Sequence, residues 1–135
     1  MTYRDRILSC PTCATPLDKP RYKAESFKCR GCGGHAMHED DLGRLLARYA
    51  PERFSMGKVP ISPRPEPAPI HRACPACHQP MNAVALDVLP LDACATDRLV
   101  WFDPDELEAA IQAVLAERDA NRGWMKRVRD LLFAN

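Results

Sequence analysis

Two stretches decide how this chain folds: Cys10-Pro-Thr-Cys13 with Cys29-Arg-Gly-Cys32, and Cys74-Pro-Ala-Cys77 with Cys94-Ala-Thr-Asp97. They match one another. Cys10-Pro-Thr-Cys13, two residues, then Pro16-Leu17 falls on Cys74-Pro-Ala-Cys77, two residues, then Pro80-Met81, at an offset of 64. After one extra residue in the second copy the match resumes at an offset of 65. Cys29 then falls on Cys94, Cys32 on Asp97, Asp40 on Asp105, Leu42 on Leu107 and Leu46 on Ile111. A period of this length means that one supersecondary unit is used twice.

The first copy has the spacing of a structural zinc site, with two ligands, fifteen residues, then two more. Zinc takes four donors at tetrahedral corners, and two short C-x-x-C turns supply two thiolates each. The candidate ligands are Cys10, Cys13, Cys29 and Cys32. In the second copy Cys74, Cys77 and Cys94 keep the frame, and Asp97 stands where the fourth cysteine belongs. A carboxylate oxygen is an acceptable zinc ligand, and three thiolates with one carboxylate carry the same formal charge as four thiolates. Oxygen is harder than sulfur, so this site is expected to bind zinc more weakly and to exchange it faster. His71 or His78 is an alternative fourth ligand, and an empty site or one holding a water are further alternatives. Cys74-Pro-Ala-Cys77-His78 also fits c-type haem attachment, and any C-x-x-C fits a redox pair. Both are set aside: each pair has a second pair at zinc spacing, and the first copy has no histidine after Cys13.

Working outward, the 135 residues include seven cysteines and thirteen prolines, but only six glycines. Pro60, Pro63, Pro65, Pro67 and Pro69 crowd one stretch, so residues 55–72 read as an extended proline-rich linker. The expected organisation is a first unit with its helix over 1–54, a second over 73–121 and an amphipathic C-terminal helix over 122–135. Each unit falls below the roughly 70–80 residues at which an apolar core alone suffices, so metal must supply the missing stability. No apolar run approaches the roughly 20 residues of a membrane span. The charged start, with Arg4, Asp5 and Arg6, lacks a secretory pattern. A cytoplasmic location is therefore expected, where thiols stay reduced and metal ligation is the better reading of seven cysteines.

Each copy implies strands, then a helix, a small metal-stabilised α+β class. Val84, Leu86 and Val88 alternate with Ala85 and Asp87, and Leu99-Val100-Trp101-Phe102 forms a short apolar strand. Asp103 as N-cap, Pro104 at the first helical position and Glu106 three after the cap mark a helix start. His38 is expected at the other helix start, ahead of Glu39, Asp40 and Asp41.

The formal net charge is +1, which argues against bulk polyanion binding. Its distribution is uneven. Residues 1–35 carry seven basic and three acidic side chains, 103–117 five acidic and none basic, and 118–135 five basic and two acidic.

These residues resemble a known family, the small zinc-ribbon domains related to the zinc-binding domain of transcription factor IIB, common in bacterial proteins. The second copy carries the pattern as Cys74-Pro-Ala-Cys77, Cys94 and Trp101-Phe102-Asp103-Pro-Asp-Glu106-Leu107. The first carries Cys10-Pro-Thr-Cys13 and Cys29-Arg-Gly-Cys32-Gly-Gly, then His-Ala-Met-His-Glu-Asp-Asp-Leu42. Asp97 departs from the pattern, as does the lost Trp and Asp of the first copy. The resemblance implies two tandem zinc ribbons, short antiparallel sheets on C-x-x-C knuckles, each followed by an α-helix. It implies zinc binding, and only loosely a role.

The leading expectation is a non-enzymatic adaptor that binds macromolecular partners, within transcription or another nucleic-acid machine. The C-terminal stripe Trp124, Val128, Leu131 and Leu132, with Met125 at its margin, suits a partner groove, self-association or an acidic membrane surface, or it packs back on the ribbons. A second expectation is direct DNA or RNA binding by Arg4, Arg6, Lys19, Arg21, Lys23, Lys28 and Arg30, with Tyr22 and Phe27 stacking on bases. A third is metal handling or redox sensing at the second site.

Overall fold

The structure, a computed structural model, describes residues 7–20, 26–54, 61–63, 72–86 and 89–133. In chain order its elements are β1 (Phe27–Lys28), β2 (His35–His38), α1 (Glu39–Tyr49), α2 (Pro51–Phe54), β3 (Ile61–Pro63), β4 (Asn82–Leu86), β5 (Leu89–Cys94), β6 (Leu99–Phe102) and α3 (Glu106–Phe133). The two copies do not stand apart. Their strands join in one six-stranded antiparallel sheet, ordered β1-β2-β6-β5-β4-β3.

The join is between β2 of the first copy and β6 of the second, in the register His35↔Phe102, Ala36↔Trp101, Met37↔Val100, His38↔Leu99. At the offset of 65, His35 corresponds to Val100, Ala36 to Trp101 and Met37 to Phe102. Exchanging the copies therefore maps the register onto itself, and a local pseudo-two-fold axis passes through the Ala36–Trp101 pair. This is the self-complementary geometry of an isologous dimer interface, closed within one chain. Trp101 is fully buried at the axis, and Gly34 makes the space for it: a Cβ on Gly34 would sit 2.3 Å from Trp101 Cζ2. Two indoles at the axis would compete for that space. The first copy has Ala36 there instead.

All four β6 residues are buried because the sheet is covered on both faces. Met37, Val84, Leu86, Leu91, Val100 and Phe102 point to the helices, against Leu42 and Leu46 of α1, Phe54 of α2, and Ala110 and Val114 of α3. Phe27, Ala36, Leu99 and Trp101 point to the opposite face, into a second cluster with Leu8, Leu17, Met81 and the buried cysteines. The period of two along each strand sorts its residues between these two clusters.

His38 caps α1, its Nδ1 accepting the Asp40 N–H at 3.1 Å, and three acidic residues fill the first turn, as expected. Asp41 is buried and paired with Arg44.

Three expectations change. The stretch read wholly as linker contributes β3, whose Ile61, Ser62 and Pro63 pair with Leu86, Ala85 and Val84. β3 is an outer strand, where proline is tolerated. Residues 106–121 and 122–133 form one continuous helix, α3, not two. No proline interrupts it, and Gly123 alone costs about 1 kcal/mol in a helix interior. Finally, α3 opens at Glu106, because Asp105 has a φ of 72° and breaks the run from Pro104. The Asp103 carboxylate instead accepts from Trp101 Nε1 at 3.2 Å and pairs with Arg72, while Glu106 Oε2 accepts the Asp103 N–H at 2.7 Å. The capping-box half of the pattern is kept, and the cap itself is spent on holding Trp101.

Among the described residues no helix is long and apolar enough to cross a membrane.

Candidate metal centres

The ligands ride on four turns of one design. In three of them the first ligand's N–H donates to the carbonyl five residues on: Cys10 to Thr15 at 2.8 Å, Cys29 to Gly34 at 2.9 Å, Cys74 to Gln79 at 2.8 Å. The N–H of the residue after the second ligand returns to the first ligand's carbonyl, from Ala14 and Gly33 at 2.9 Å and from His78 at 3.0 Å. That residue is left-handed in all four turns, with φ of 58° at Ala14, 81° at Gly33, 64° at His78 and 56° at Arg98. Arg98 follows Asp97 as Gly33 follows Cys32. Asp97 therefore occupies a ligand's place in a ligand's turn.

Backbone amides point at the sulfurs. Cys10 Sγ accepts from the Cys13 N–H at 3.3 Å, and Cys32, Cys74 and Cys94 accept from Gly34, Ala76 and Asp97 at 3.4 Å. Hydrogen bonds to the charged form favour thiolate, the form a metal needs. At Cys29 the Cys32 N–H is the leading cause of a thiol pKa lowered to about 6. At Cys74, burial dominates and pushes the thiol up to about 12. Desolvation by burial likewise pushes Cys13 of the first set up to about 12, so each set carries a desolvation cost in gathering its thiolates.

Each set closes on a point. The donor atoms of Cys10, Cys13, Cys29 and Cys32 lie within 4.8 Å of one another, and so do those of Cys74, Cys77, Cys94 and Asp97. Tetrahedral zinc with Zn–S bonds of about 2.3 Å requires sulfurs about 3.8 Å apart. Cys10 Sγ and Cys32 Sγ are 3.7 Å apart, as are Cys77 Sγ and Cys94 Sγ. Asp97 Oδ2 lies 3.6 Å from Cys74 Sγ and 3.8 Å from Cys94 Sγ, near the about 3.6 Å that one Zn–O and one Zn–S bond give. Both donor sets fit Zn2+, and the chain has two zinc sites.

Among the described residues, the same geometry brings Asp97 to the fourth position. His78 is exposed and forms the left-handed end of its turn, outside the donor set. His71 lies outside the described residues. His35 is not a ligand either: its Nδ1 lies 3.3 Å from Ser26 Oγ, and burial, with Lys28 nearby, lowers its pKa.

Residues 73–113 match the model of the transcription factor zinc-finger family, the TFIIB-type zinc ribbon. The second unit carries that match, and the first repeats its turns and ligand geometry. The chain is a tandem zinc-ribbon-like protein. No curated protein and no solved structure matches it.

The two ribbons share their interior. Cys10, Cys29, Cys74 and Cys94 are all buried in the cluster that holds Trp101, and the Ser9 N–H donates to the Pro75 carbonyl at 3.0 Å, from one ligand turn to the other. Sequence reasoning missed this shared shell, with Gly34, Ala36 and Arg98 at its edges. The loss of the family's tryptophan at Ala36 was the one available signal.

Of the residues expected to meet nucleic acid through the first ribbon, the structure corrects Phe27. Phe27 is buried at 1% exposure and cannot stack, and Arg30 is paired with Asp18 at 2.6 Å. Lys19 and Lys28 are exposed. Arg4, Arg6, Arg21, Tyr22 and Lys23 lie outside the described residues. On α3, Leu131 and Leu132 are exposed at 83% and 70%, so at those positions the stripe does not pack back on the ribbons. The side chains of Trp124 and Met125 lie outside the described residues.

Proposed function

We propose that this chain is a non-enzymatic, zinc-dependent adaptor that binds a macromolecular partner, in transcription or another nucleic-acid machine. The observation that carries this reading is the use of the donors. Four protein donors converge in each set, which is the arrangement of a structural zinc rather than of one with a position kept for substrate. Zinc then fixes the strands and turns that a partner meets. The far end of α3, with Leu131 and Leu132 exposed beyond the last described bonds of Glu117 with Arg53 and Arg118 with Tyr49, supplies an apolar surface for it.

The test is affinity capture from the native host with and without nuclease, using zinc-loaded and chelator-stripped protein as paired baits. The adaptor reading expects a protein partner that survives nuclease and disappears with zinc. Loss of all bound material on nuclease treatment would move the assignment to direct nucleic-acid binding. That version must also weaken steeply between low and physiological salt.

A further inference from the structure

The turn that carries Asp97 ends on the other ribbon's helix. The Arg98 carbonyl accepts the N–H of Glu39, first residue of α1, at 2.9 Å. Its guanidinium reaches Glu39 Oε2 at 3.4 Å and Asp40 Oδ1 at 3.1 Å. Three links thus tie the residue next to a metal ligand of the second centre to the start of a helix in the first unit.

The pseudo-two-fold axis allows a direct comparison. Arg98 corresponds to Gly33, Glu39 to Pro104 and Asp40 to Asp105. Gly33 does abut Pro104: a Cβ added to Gly33 would lie 3.8 Å from Pro104 Cβ. Proline has no N–H to give, and glycine has no side chain to pair. The contact exists in both directions, and only one carries hydrogen bonds and charge. It leaves from the centre with the oxygen donor, the one expected to release zinc first.

We propose that the second centre is a metal-occupancy switch for the first unit: zinc at Cys74, Cys77, Cys94 and Asp97 fixes Arg98, Arg98 fixes the start of α1, and zinc release frees that helix end while the first centre stays loaded. This rests on the second donor set holding zinc, and deepens the metal-handling reading. The helix end is a local element, so its opening needs no global unfolding. Coupling of this kind is reciprocal, so strengthening the Arg98–α1 links also strengthens zinc retention.

The full chain, loaded with Zn2+, is titrated with a competing chromophoric chelator while amide hydrogen exchange is read residue by residue. The first equivalent is expected to leave from the second centre, exposing the Asp97 amide. The Glu39 amide then exchanges about tenfold faster, a 1.4 kcal/mol loss of local protection. Ala14 and Gly33 keep theirs. Unchanged α1 exchange once the second centre is empty overturns the proposal, as does first release from the Cys10–Cys32 set. Uptake of only one equivalent refutes the second centre itself, and it is read from stoichiometry alone. Asp97→Cys, a tighter site, is expected to hold α1 closed to higher chelator concentration. Release at the native concentration, with the tighter site still loaded, refutes the link. Arg98→Gly keeps the left-handed backbone and two zincs, and is expected to raise α1 exchange severalfold even when loaded. No rise there removes Arg98 from the path.

Discussion

Gly34→Ala tests the seam between the ribbons with a single methyl group. The added Cβ would stand 2.3 Å from Trp101 Cζ2, 2.7 Å from Cη2 and 3.1 Å from the Phe102 carbonyl oxygen. Non-bonded carbons rest at about 3.5–4.0 Å, so the indole must retreat by about 1.2 Å or more. It has little room to do so, being 1% exposed and held on the same edge by the Nε1–Asp103 hydrogen bond. Overpacking of this kind costs about 1–3 kcal/mol. Loss of the indole hydrogen bond adds about 1 kcal/mol, giving an expected total of about 2–4 kcal/mol. Gly34 does not have a positive φ, so backbone strain contributes nothing and the effect is purely steric. The assay is urea denaturation at fixed free zinc, because metal stabilises the folded state by mass action. Trp101→Phe removes the two ring atoms concerned. Gly34→Ala in that background is expected to cost about 1–2 kcal/mol less than in the native chain. A loss below about 0.5 kcal/mol for Gly34→Ala alone would refute the placement of Trp101 at the axis.

Asp97→Ala is expected to lower zinc content by inductively coupled plasma analysis from two equivalents to one, whereas Asp97→Cys keeps two and slows metal exchange; two zincs retained by Asp97→Ala would remove Asp97 as a necessary ligand. His78→Gly relieves a left-handed non-glycine residue, and is expected to raise stability by about 0.5–1 kcal/mol after the entropy cost of glycine, as read from the denaturation midpoint. Complete zinc removal is expected to abolish cooperative unfolding, since apparent structural zinc affinities of about 10–16 kcal/mol are comparable with a small domain's whole stability. Deleting Gly123–Asn135 is expected to lose helical signal in circular dichroism but under about 0.5 kcal/mol of stability, because α3 makes its last described tertiary bonds at Glu117 and Arg118.

The ligand sets were legible because their signal is local: C-x-x-C spacing states what the turn must be, and the repeat places Asp97 in register with Cys32 before any geometry is known. The β6 run and the His38 cap were legible for the same reason. What escaped was non-local. Nothing in His35–His38 says that it pairs with a strand more than sixty residues on, because an antiparallel seam leaves no signal in either strand alone. Ile61-Ser62-Pro63 was hidden by its prolines, which mark a spacer equally well as an outer strand. Asp103 fits an N-cap by composition, and only its neighbours Trp101 and Arg72 show that its carboxylate is engaged elsewhere.

Three differences between the copies fall where the copies touch. A dimer of identical ribbons must repeat every residue at its axis, so a tryptophan there meets a tryptophan, and each helix start meets the same ligand turn. A single chain is free of that requirement. Here Trp101 faces Ala36, Arg98 grips Glu39 and Asp40 where Gly33 only touches Pro104, and Asp97 replaces a thiolate beside that grip. The first difference fills the axis without collision. The other two place the weaker donor next to the stronger mechanical link. A duplication kept only for stability gains nothing from that pairing, since a fourth cysteine and a glycine would hold metal better. The arrangement makes sense if the state of the second centre is meant to be felt by the first unit.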